Sequence, residues 1–437
     1  PQMSMVDVPV ALLGYGTVGA AVDRLLTENA ADIERSTGHR LRVVRALVRD
    51  PERERSRAPA PGVLTSDFAA IRDDPSVAVV AEVMGGLEPT GDHVLELLHA
   101  GKPVVSANKQ LIARRGAELF SAASEAGVQL RFEASVCAAI PVIKVLREAL
   151  VATNVHRVLG IVNGTTNFIL TEMEAGAGYQ EALAEAQRLG FAEADPTEDV
   201  SGADAAAKMA ILATIAFGSR VTLDDVRFQG IESVSRADVA AAREMDMVVR
   251  LIGAATLVDG KLDVRVGPAL VDSHHPLASV EGAFNAVMLQ GDAIREITLE
   301  GPGAGGLETA SAVVADIVGV IGTTGTGFLQ NDACWRTLKR LPPGELRSPY
   351  YVRLAVEDRA GVLAHVALRL AAHGVSVARL VQHQEDGSAT LHVVTHEAPG
   401  GALADALAEV AALPETKSPP GALPVVSDRG VPGLGWA

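Results

Sequence analysis

Apolar runs of strand length alternate with helical segments along the first third of the chain. The apolar runs, rich in Val, Ala and Leu, span residues 8–13, 41–48, 77–83, 104–106 and 128–132. Between them, apolar residues recur at helical spacing, most clearly over 94–100 and 111–126. Strands that are apolar at successive positions are buried on both faces, as in parallel sheets covered by helices. The pattern therefore predicts an α/β fold with a doubly wound sheet.

The first apolar run leads directly into a glycine-rich turn followed by a helical segment. In such a turn the first glycine permits the tight bend, and the second lets the backbone approach a pyrophosphate. The third glycine allows the helix to pack closely, and the helix N-terminal amides face the phosphates. The residues predicted to contact a dinucleotide here are Gly14, Gly16, Thr17, Val18 and Gly19. We therefore expect a Rossmann-type dinucleotide-binding domain in this part of the chain.

The end of the second strand bears on the choice of cofactor. An acid at this position would bind the ribose 2′-hydroxyl of NAD, whereas an arginine would bind the 2′-phosphate of NADP. The strand ends in Arg49 and Asp50, and Arg53 and Arg55 follow. Because residues 51–61 are dense in charge and proline, we interpret Arg53 and Arg55 as part of a solvated loop. Arg49 is the favoured contact, so NADP is the expected cofactor and NAD the alternative.

Ligands of doubly wound sheets bind at the carboxyl ends of the strands. The later strands end in residues 84–86, 106–109 and 133–141. Ser106 and Lys109 are therefore predicted to lie in the cofactor crevice, with Lys109 near the substrate or the nicotinamide ribose. The alternative for Lys109 is an exposed lysine at the start of a helix, since lysine is usually exposed.

One later helix is apolar except for two charges. Within residues 202–217 the charged residues are Asp204 and Lys208, which share one face of a helix because they are four positions apart. Taking unpaired charges into a protein interior costs several kcal/mol. The pair is therefore either a structural ion pair or the border of a polar cavity. In the second interpretation Lys208 is a proton donor.

Composition narrows the functional classes. The net charge of −16 over 437 residues opposes binding to nucleic acid, since phosphates require clustered lysine and arginine. The two cysteines, Cys137 and Cys334, are too few for a disulfide framework or a zinc site. No uncharged apolar run reaches the roughly 18 residues of a membrane span, and no basic segment precedes an apolar core at the start. We expect a cytoplasmic enzyme that acts on a small molecule and not at a membrane.

A separate unit follows a proline-containing linker at 341–349. Strands are predicted at 350–356, 375–382 and 390–395, with one helix ending at residue 372 and another over 402–413. The turn at 358–363 (DRAGVL) makes this unit similar to an ACT domain, a class that pairs through its sheets and binds small amino acids. Residues 414–437 are rich in proline and glycine, and only 423–426 are available for the last strand of that fold. A dimerisation module without an effector is the alternative.

Four further motifs match one enzyme family in order and spacing. They are 163–167 (NGTTN), 190–196 (GFAEADP), 199–208 (DVSGADAAAK) and 301–306 (GPGAGG). Through them, residues 8–335 resemble homoserine dehydrogenase. The domains implied by the resemblance are a Rossmann-type domain over 1–135 completed by 306–340, an α+β substrate-binding and dimerisation domain over 136–305, and an ACT-like regulatory domain over 350–437.

The resemblance also implies a role for each polar residue of the motifs. Lys208 is the proton donor and acceptor at the substrate oxygen, and Lys109 is the second catalytic lysine. Glu193 binds the α-ammonium group of the substrate, Asp204 also contacts the substrate, and Asp199 supports them. The reaction implied is the NAD(P)-dependent interconversion of L-aspartate 4-semialdehyde and L-homoserine, in threonine, methionine and isoleucine biosynthesis. Lys208 would protonate the alkoxide that forms when the aldehyde receives a hydride.

The remaining contacts implied by the resemblance involve glycines and backbone carbonyls. Gly190 and Gly303 or Gly305 would lie against the nicotinamide, where only small residues permit close approach. The residues that correspond to the family's monovalent-cation site, for an ion such as sodium, are Glu133, Val136, Ala138 and Ile140. Relatives often carry glycine where this chain has Ala138, so its backbone is less permissive at that point.

Two other classes of protein are weighed against this enzyme. An acylating semialdehyde dehydrogenase would use Cys137 as its nucleophile, but no histidine base occurs over 133–150. A non-catalytic amino-acid sensor would have no need of Lys208 in an apolar helix. For the assembly, the resemblance implies a homodimer through the central domain or a homotetramer joined by the C-terminal units, with threonine as the effector.

Overall fold

The structure is a computed structural model that describes residues 6–322, 338–342, 344–385 and 388–426. Contacts group these residues into two compact units. Unit one comprises 6–158, 205–226 and 285–322, and unit two comprises the described residues of 159–204, 227–284 and 338–426. The bounds of these two units differ from the predicted domain bounds, and the predicted domains stay an expectation from the sequence. Cys334 lies outside the described residues.

The strands are numbered in chain order. They are β1 (Val6–Leu13), β2 (His39–Leu47), β3 (Leu64–Thr65), β4 (Val79–Glu82), β5 (Val104–Ser106), β6 (Leu130–Arg131), β7 (Val155–Ile161), β8 (Arg227–Phe228), β9 (Met247–Val258), β10 (Lys261–Asp272), β11 (Phe284–Gly291), β12 (Arg295–Pro302), β13 (Lys339–Arg340), β14 (Arg347–Ser348), β15 (Tyr350–Glu357), β16 (Val377–Glu385), β17 (Ser388–Thr395), β18 (Ala398–Pro399) and β19 (Gly421–Val426).

The α-helices are numbered in the same way. They are α1 (Thr17–Glu28), α2 (Ala30–Thr37), α3 (Ala69–Arg72), α4 (Thr90–His99), α5 (Lys109–Ala126), α6 (Val142–Lys144), α7 (Gly164–Glu174), α8 (Tyr179–Arg188), α9 (Thr197–Val200), α10 (Ala203–Phe217), α11 (Arg236–Glu244), α12 (Gly306–Gly322), α13 (Val362–Ala372) and α14 (Gly400–Ala411). Within the described ranges, no helix has both the length and the apolar composition needed to cross a membrane.

A six-stranded parallel sheet forms the centre of unit one, in the order β3-β2-β1-β4-β5-β6. The chain order reverses between β1 and β4, and a sheet of this kind has its ligand crevice at the carboxyl ends of those strands. Side chains such as Val10, Leu12 and Val79 are fully buried. The α/β fold with a doubly wound sheet, predicted from successive apolar positions, is confirmed.

Helix α12, which follows the GPGAGG motif, packs on this sheet. Its Ala310, Val313 and Ile317 are fully buried in the same hydrophobic core as Val10 and Leu12. Fully burying a branched aliphatic side chain stabilises a fold by about 1.5–3 kcal/mol. A segment far along the chain thus completes the core of the N-terminal sheet and brings its glycine loop to the sheet's edge.

A second sheet carries the C-terminal part of unit two. Strands β9 and β10 pair antiparallel along their whole length. Strand β19 is parallel to β10 and antiparallel to β15, and β17 and β16 follow. Helices α13 and α14 cover this sheet, with Val352, Val366 and Leu403 buried in a common core. The resulting strand and helix order is the one predicted for the ACT-like unit.

Two features of the ACT-like unit were not predicted from the sequence. Strand β19 includes residues 423–426, the segment that the sequence offers for the last strand, and it pairs with both β10 and β15. The predicted linker is hydrogen-bonded: the N–H of Leu341 donates to the oxygen of Leu262 at 3.0 Å, and β14 pairs with β18. The ACT-like unit therefore shares its sheet and its linker with the rest of unit two.

Candidate active site

Each position of the turn between β1 and α1 that carries glycine does so for a different physical reason. Gly14 has φ +103°, and a Cβ there would lie 3.0 Å from the Cα of Met84. A Cβ on Gly19 would overlap the carbonyl oxygen of Gly14. Gly16 is exposed, and no other part of the described chain approaches within 4 Å of its missing Cβ. The first amides of α1 are therefore open to a pyrophosphate, and the helix dipole favours an anion there.

The second glycine loop, residues 301–306, lies against this turn. A Cβ on Gly306 would lie 2.9 Å from the Cγ2 of Thr17, so the two predicted cofactor segments are adjacent. The carboxamide of Asn285 covers Gly303 and leaves no room for a side chain there. Gly305 has φ +141°, a conformation that favours glycine. Asn285 was not predicted, because it lies on β11 and its position in the sequence gives no sign of this contact.

The loop after β2 is organised around Arg55. Its guanidinium donates to the carbonyl oxygens of three loop residues at 2.5–3.3 Å. One carboxylate oxygen of Asp50 accepts the N–H of Glu52 at 2.9 Å. Arg49 and Arg53 are exposed, and neither guanidinium group is engaged by another described residue. The loop thus uses Arg55 to fold and leaves Arg49 and Arg53 available to an anion.

A contact missed by the sequence reasoning joins this loop to the glycine turn. The Nε of Arg57 donates to a carboxylate oxygen of Asp23 at 3.2 Å, and the hydroxyl of Tyr15 donates to the same oxygen at 2.6 Å. Burial, together with the hydrogen bond to Asp23, raises the pKa of Tyr15. Because 34 residues separate Asp23 from Arg57, no local pattern reveals the pair.

The predicted residues Ser106 and Lys109 lie at the carboxyl end of β5. Ser106 is fully buried, and its hydroxyl donates to Glu82 at 2.6 Å. Asn108 caps helix α5 by accepting the N–H of Leu111 at 3.1 Å. Lys109 is the first residue of α5 and is half-buried. Glu82 was not predicted, although a single carboxylate at the end of the apolar run 77–83 was a usable signal.

Helix α10 begins and ends within one residue of the prediction. Its residues are Ala, Met, Ile, Leu, Thr and Phe apart from Asp204, which is buried, and Lys208, which is half-buried. The division between the two units falls directly after Asp204. Lys208 lies one helical turn further along, so the two side chains share one face of the helix, as predicted.

Asn163 links the NGTTN motif to helix α10. Its amide donates to Asp199 at 2.7 Å and to Asp204 at 2.8 Å. Its side-chain oxygen accepts the N–H and the hydroxyl of Thr166 and so caps helix α7. A Cβ on Gly164 would lie 2.5 Å from a backbone carbonyl oxygen. The motif therefore brings together two of the predicted substrate residues, Asp199 and Asp204, through one buried amide.

The loop that carries Gly190 and Glu193 is exposed and anchored on α7 and α8. The hydroxyl of Thr165 donates to the carbonyl oxygen of Phe191 at 2.5 Å. The side-chain amide of Gln187 donates to the carbonyl oxygen of Glu193 at 3.1 Å. Gly190 has φ +79° and open space where a Cβ would lie. The carboxylate of Glu193 is thus presented on an anchored loop with its side chain exposed.

Glu133, the carboxylate of the predicted cation site, is buried in unit one. Its two oxygens accept the N–H groups of Ile143 and Lys144 at 2.8 and 2.7 Å. Burial and the nearby carboxylate of Asp316 raise the pKa of Glu133 to about 7. In the part of the chain that the structure describes, no group of three or more His, Cys, Asp or Glu is placed to hold a metal ion. A site here would rest on one carboxylate and carbonyl oxygens, which suit a hard cation.

The turn after Glu133 adopts a left-handed backbone without glycine. Cys137 has φ 55° and Ala138 has φ 38°. Both residues are buried, so packing holds the conformation that Ala138 makes less permissive. Cys137 is 1 % exposed, which places it in the core and not at a surface open to substrate.

The glycine turn, the second glycine loop and the buried polar groups at the strand ends define a dehydrogenase that uses a nicotinamide dinucleotide. Comparison with known families agrees. The model described as "Homoserine dehydrogenase, NAD binding domain" matches residues 14–133, the model "Homoserine dehydrogenase" matches 141–318, and the model "ACT domain" matches 350–415.

Comparison with known proteins points to the same enzyme. A homoserine dehydrogenase of Corynebacterium glutamicum is 44% identical over 90% of this chain and 89% of its own length. The crystal structure of a homoserine dehydrogenase from Thiobacillus denitrificans has a TM-score of 0.91 and 38% identity, covering 97% of this chain and 99% of that one. A hyperthermophilic archaeal homoserine dehydrogenase in complex with NADPH has a TM-score of 0.61 and 28% identity, covering 74% of this chain and 100% of that one.

The chain belongs to the homoserine dehydrogenase family. It is an NAD(P)-dependent oxidoreductase that interconverts L-aspartate 4-semialdehyde and L-homoserine, a reaction of amino-acid biosynthesis. The family resemblance drawn from the four motifs is confirmed, as is the ACT domain at the C-terminal end. The comparisons favour this enzyme over the acylating dehydrogenase and the non-catalytic sensor.

Proposed function

We propose that Lys208 is the general acid and base at the substrate oxygen and that Lys109 is the second catalytic lysine. The observation that carries the proposal is the amide of Asn163, which donates to Asp199 on α9 and to Asp204, one helical turn before Lys208 on α10. Carboxylates fixed in this way suit a substrate with hydroxyl and ammonium groups. A half-buried lysine that follows Asp204 on the same helix is suited to proton transfer.

The chemistry of the two substrates shows why a proton donor is needed at the substrate oxygen. When bound, the nicotinamide dinucleotide supplies the hydride for the aldehyde carbon or accepts it from homoserine. Negative charge develops on the aldehyde oxygen, and the ammonium group of Lys208 donates a proton to that oxygen. The ammonium group of Lys109 stabilises the same charge as it develops. In the reverse direction the neutral amine of Lys208 accepts the hydroxyl proton of homoserine.

The substrate contacts are assigned to unit two. Glu193 binds the α-ammonium group, and its exposed position on an anchored loop supports this role. Asp204 contacts the substrate as well, and Asp199 supports it through their common partner Asn163. Gly190 has open space where its Cβ would lie, so a nicotinamide ring can approach the backbone there. Gly303 and Gly305 are assigned to the same ring by the family resemblance.

The preferred cofactor is NADP. Arg49 is exposed at the end of β2 and is not engaged by another described residue, so its guanidinium is available to a 2′-phosphate. Asp50, which would bind the 2′-hydroxyl of NAD, already accepts a backbone N–H of its own loop. The archaeal relative in complex with NADPH supports the same choice.

A monovalent cation such as sodium binds at Glu133 and the carbonyl oxygens of Val136, Ala138 and Ile140. The buried carboxylate of Glu133 supports this assignment, because a cation would offset the burial that raises its pKa. Threonine is the effector of the ACT domain, and the active form is a homodimer or a homotetramer in the cytoplasm. Support for the effector comes from the completed ACT sheet, including β19.

Replacement of Lys208 tests the proposal. Lys208→Ala is expected to lower kcat by about 10²–10⁴-fold, the range for a lost general acid, while NADPH binding persists. Lys261→Ala is the matched control, since Lys261 lies at the surface of unit two in an exposed ion pair. The assay follows NADPH absorbance with aspartate semialdehyde. Turnover within a few-fold of the unmodified enzyme would make Lys208 structural.

A further inference from the structure

The last residue of strand β4, Glu82, is a fully buried carboxylate. One of its oxygens accepts the N–H groups of Met84 and Gly85, both at 3.0 Å, and the other accepts the hydroxyl of Ser106 at 2.6 Å. Within the described residues, no lysine, arginine or histidine forms an ion pair with Glu82. Burial raises the pKa of Glu82, and these hydrogen bonds oppose the rise. All three donors match an ionised carboxylate.

The hydrogen bonds continue from Ser106 to the start of helix α5. The hydroxyl oxygen of Ser106 accepts the N–H of Asn108 at 3.1 Å. The amide of Asn108 donates to the carbonyl oxygen of Gly86 at 2.7 Å, while its oxygen caps α5. Glu82, Ser106 and Asn108 therefore join the loop after β4 to the loop after β5. Lys109, the first residue of α5, follows Asn108 directly.

A hydrogen bond that only anchors the loop after β4 does not require a charged group. Thr90 shows this, because its neutral hydroxyl donates to the carbonyl oxygen of Gly85 at 2.6 Å and anchors the same loop. A buried carboxylate without a cationic partner is unfavourable and is retained where it has a specific task. Glu82 lies on β4, next to β1, at the point where the strand order reverses and ligands of such sheets bind.

We propose that Glu82 is a positioning residue of the dehydrogenase: its carboxylate fixes Ser106 and Asn108 and, through them, the start of α5 that carries Lys109. This rests on the proposed role of Lys109. The carboxylate contributes by geometry, because a donor such as Ser106 that must also accept from Asn108 needs a strong acceptor for its own proton. Displacing a catalytic group by about 1 Å can reduce turnover by roughly 10²-fold.

Two substitutions break the same link from opposite sides. Glu82→Gln keeps the shape and the acceptor for Met84 and Gly85 but cannot accept the proton of Ser106. Ser106→Ala removes that proton and leaves the carboxylate. We expect each variant to lower kcat by about 10–100-fold. The double variant should be no slower than the slower single variant, because both changes remove one interaction.

Two controls separate positioning from loss of fold. Thr90→Val removes the neutral tie of the same loop and should keep kcat within about threefold of the unmodified enzyme. Fluorescence titration with NADPH should give one site per chain for Glu82→Gln and Thr90→Val, with Kd changed by less than about fivefold, so that the loss in Glu82→Gln falls on kcat. If Glu82→Gln does not fold, Ser106→Ala alone tests the link.

The outcomes also separate this proposal from the role of Lys109. Lys109→Ala with full turnover would overturn that role and the present proposal with it. Loss in Lys109→Ala together with normal turnover in both Glu82→Gln and Ser106→Ala would overturn only the proposal for Glu82. Additive losses in the double variant would likewise show that the two residues act independently. Equal losses in Thr90→Val would reduce Glu82 to a structural tie.

Discussion

Replacing Tyr351 with phenylalanine tests how the ACT domain is attached to the rest of unit two. Tyr351 is 1 % exposed, and its hydroxyl lies 2.9 Å from Asp238 on α11 and 2.8 Å from Nδ1 of His392 on β17. A carboxylate only accepts, so Tyr351 donates to Asp238 and His392 donates to Tyr351. Arg353 donates to the other carboxylate oxygen of Asp238 at 2.9 Å. One hydroxyl therefore joins the ACT sheet to α11.

The expected loss follows from the partners that Tyr351→Phe leaves behind. The buried Nδ1 of His392 loses its acceptor, and a buried group without a partner costs about 1–3 kcal/mol. Asp238 loses the donor to Oδ1, while its Oδ2 keeps Arg353 and the N–H and hydroxyl of Ser235, so the carboxylate as a whole stays hydrogen-bonded. We expect unit two to lose about 1–3 kcal/mol of its free energy of unfolding. For a unit of this size, Tm should fall by roughly 2–12 °C.

The assay is thermal unfolding of the full chain, with Tyr350→Phe as the matched control. Tyr350 precedes Tyr351 on β15, and its hydroxyl forms no hydrogen bond with another described residue. Its replacement should change the free energy of unfolding by at most about 0.5 kcal/mol. Equal Tm values for the two variants would refute the network as a source of stability. A larger fall for Tyr350→Phe would show that packing on β15, and not the hydroxyl, determines the effect.

Three further predictions concern the cofactor, pH and the C-terminal unit. Arg49→Ala should raise the KM for NADPH by about 10–100-fold and that for NADH by much less, with the exposed Arg42→Ala as control; equal losses would remove Arg49 from the 2′-phosphate. Burial and the nearby His383 lower the pKa of His392, so the unfolded chain binds a proton at this residue more readily than the folded chain does. Unit two should therefore lose stability as pH falls below roughly 6.5. The stability of His392→Gln should depend less on pH between about 5 and 7, and an unchanged dependence would contradict this. Deleting residues 349–437 removes the β19 partner of β10, so the shortened enzyme should sediment as aggregate or melt earlier than the full chain; an equally stable, active product would show that the ACT domain is dispensable.

The deletion shows where sequence reasoning reaches its limit. Every proposed site residue lies before position 342, so the sequence predicts that residues 1–340 keep their activity. That expectation stays a prediction, and the structure adds a reason for lower stability of the fragment: β19 pairs with β10, and Tyr351 and Arg353 contact a buried carboxylate on α11. Linear order separates the catalytic part from the ACT domain, whereas hydrogen bonds join them.

The sequence by itself determined the features that depend on neighbours along the chain. Successive apolar residues predicted the parallel sheet, Gly14 and Gly19 marked a turn that excludes any Cβ, and the apolar helix around Asp204 and Lys208 was found within one residue. These signals are local, because strand burial, turn geometry and helical periodicity each depend on a short stretch of chain.

Tertiary structure alone decided which polar groups meet. The Glu82–Ser106, Asn163–Asp204 and Tyr351–Asp238 hydrogen bonds join residues that are 24, 41 and 113 positions apart. No local pattern encodes such pairs, since a buried carboxylate or amide accepts any donor that the fold brings within about 3 Å. The sequence indicates which polar residues lie within apolar segments, but only the packing of distant segments determines the hydrogen-bond partner of each polar group.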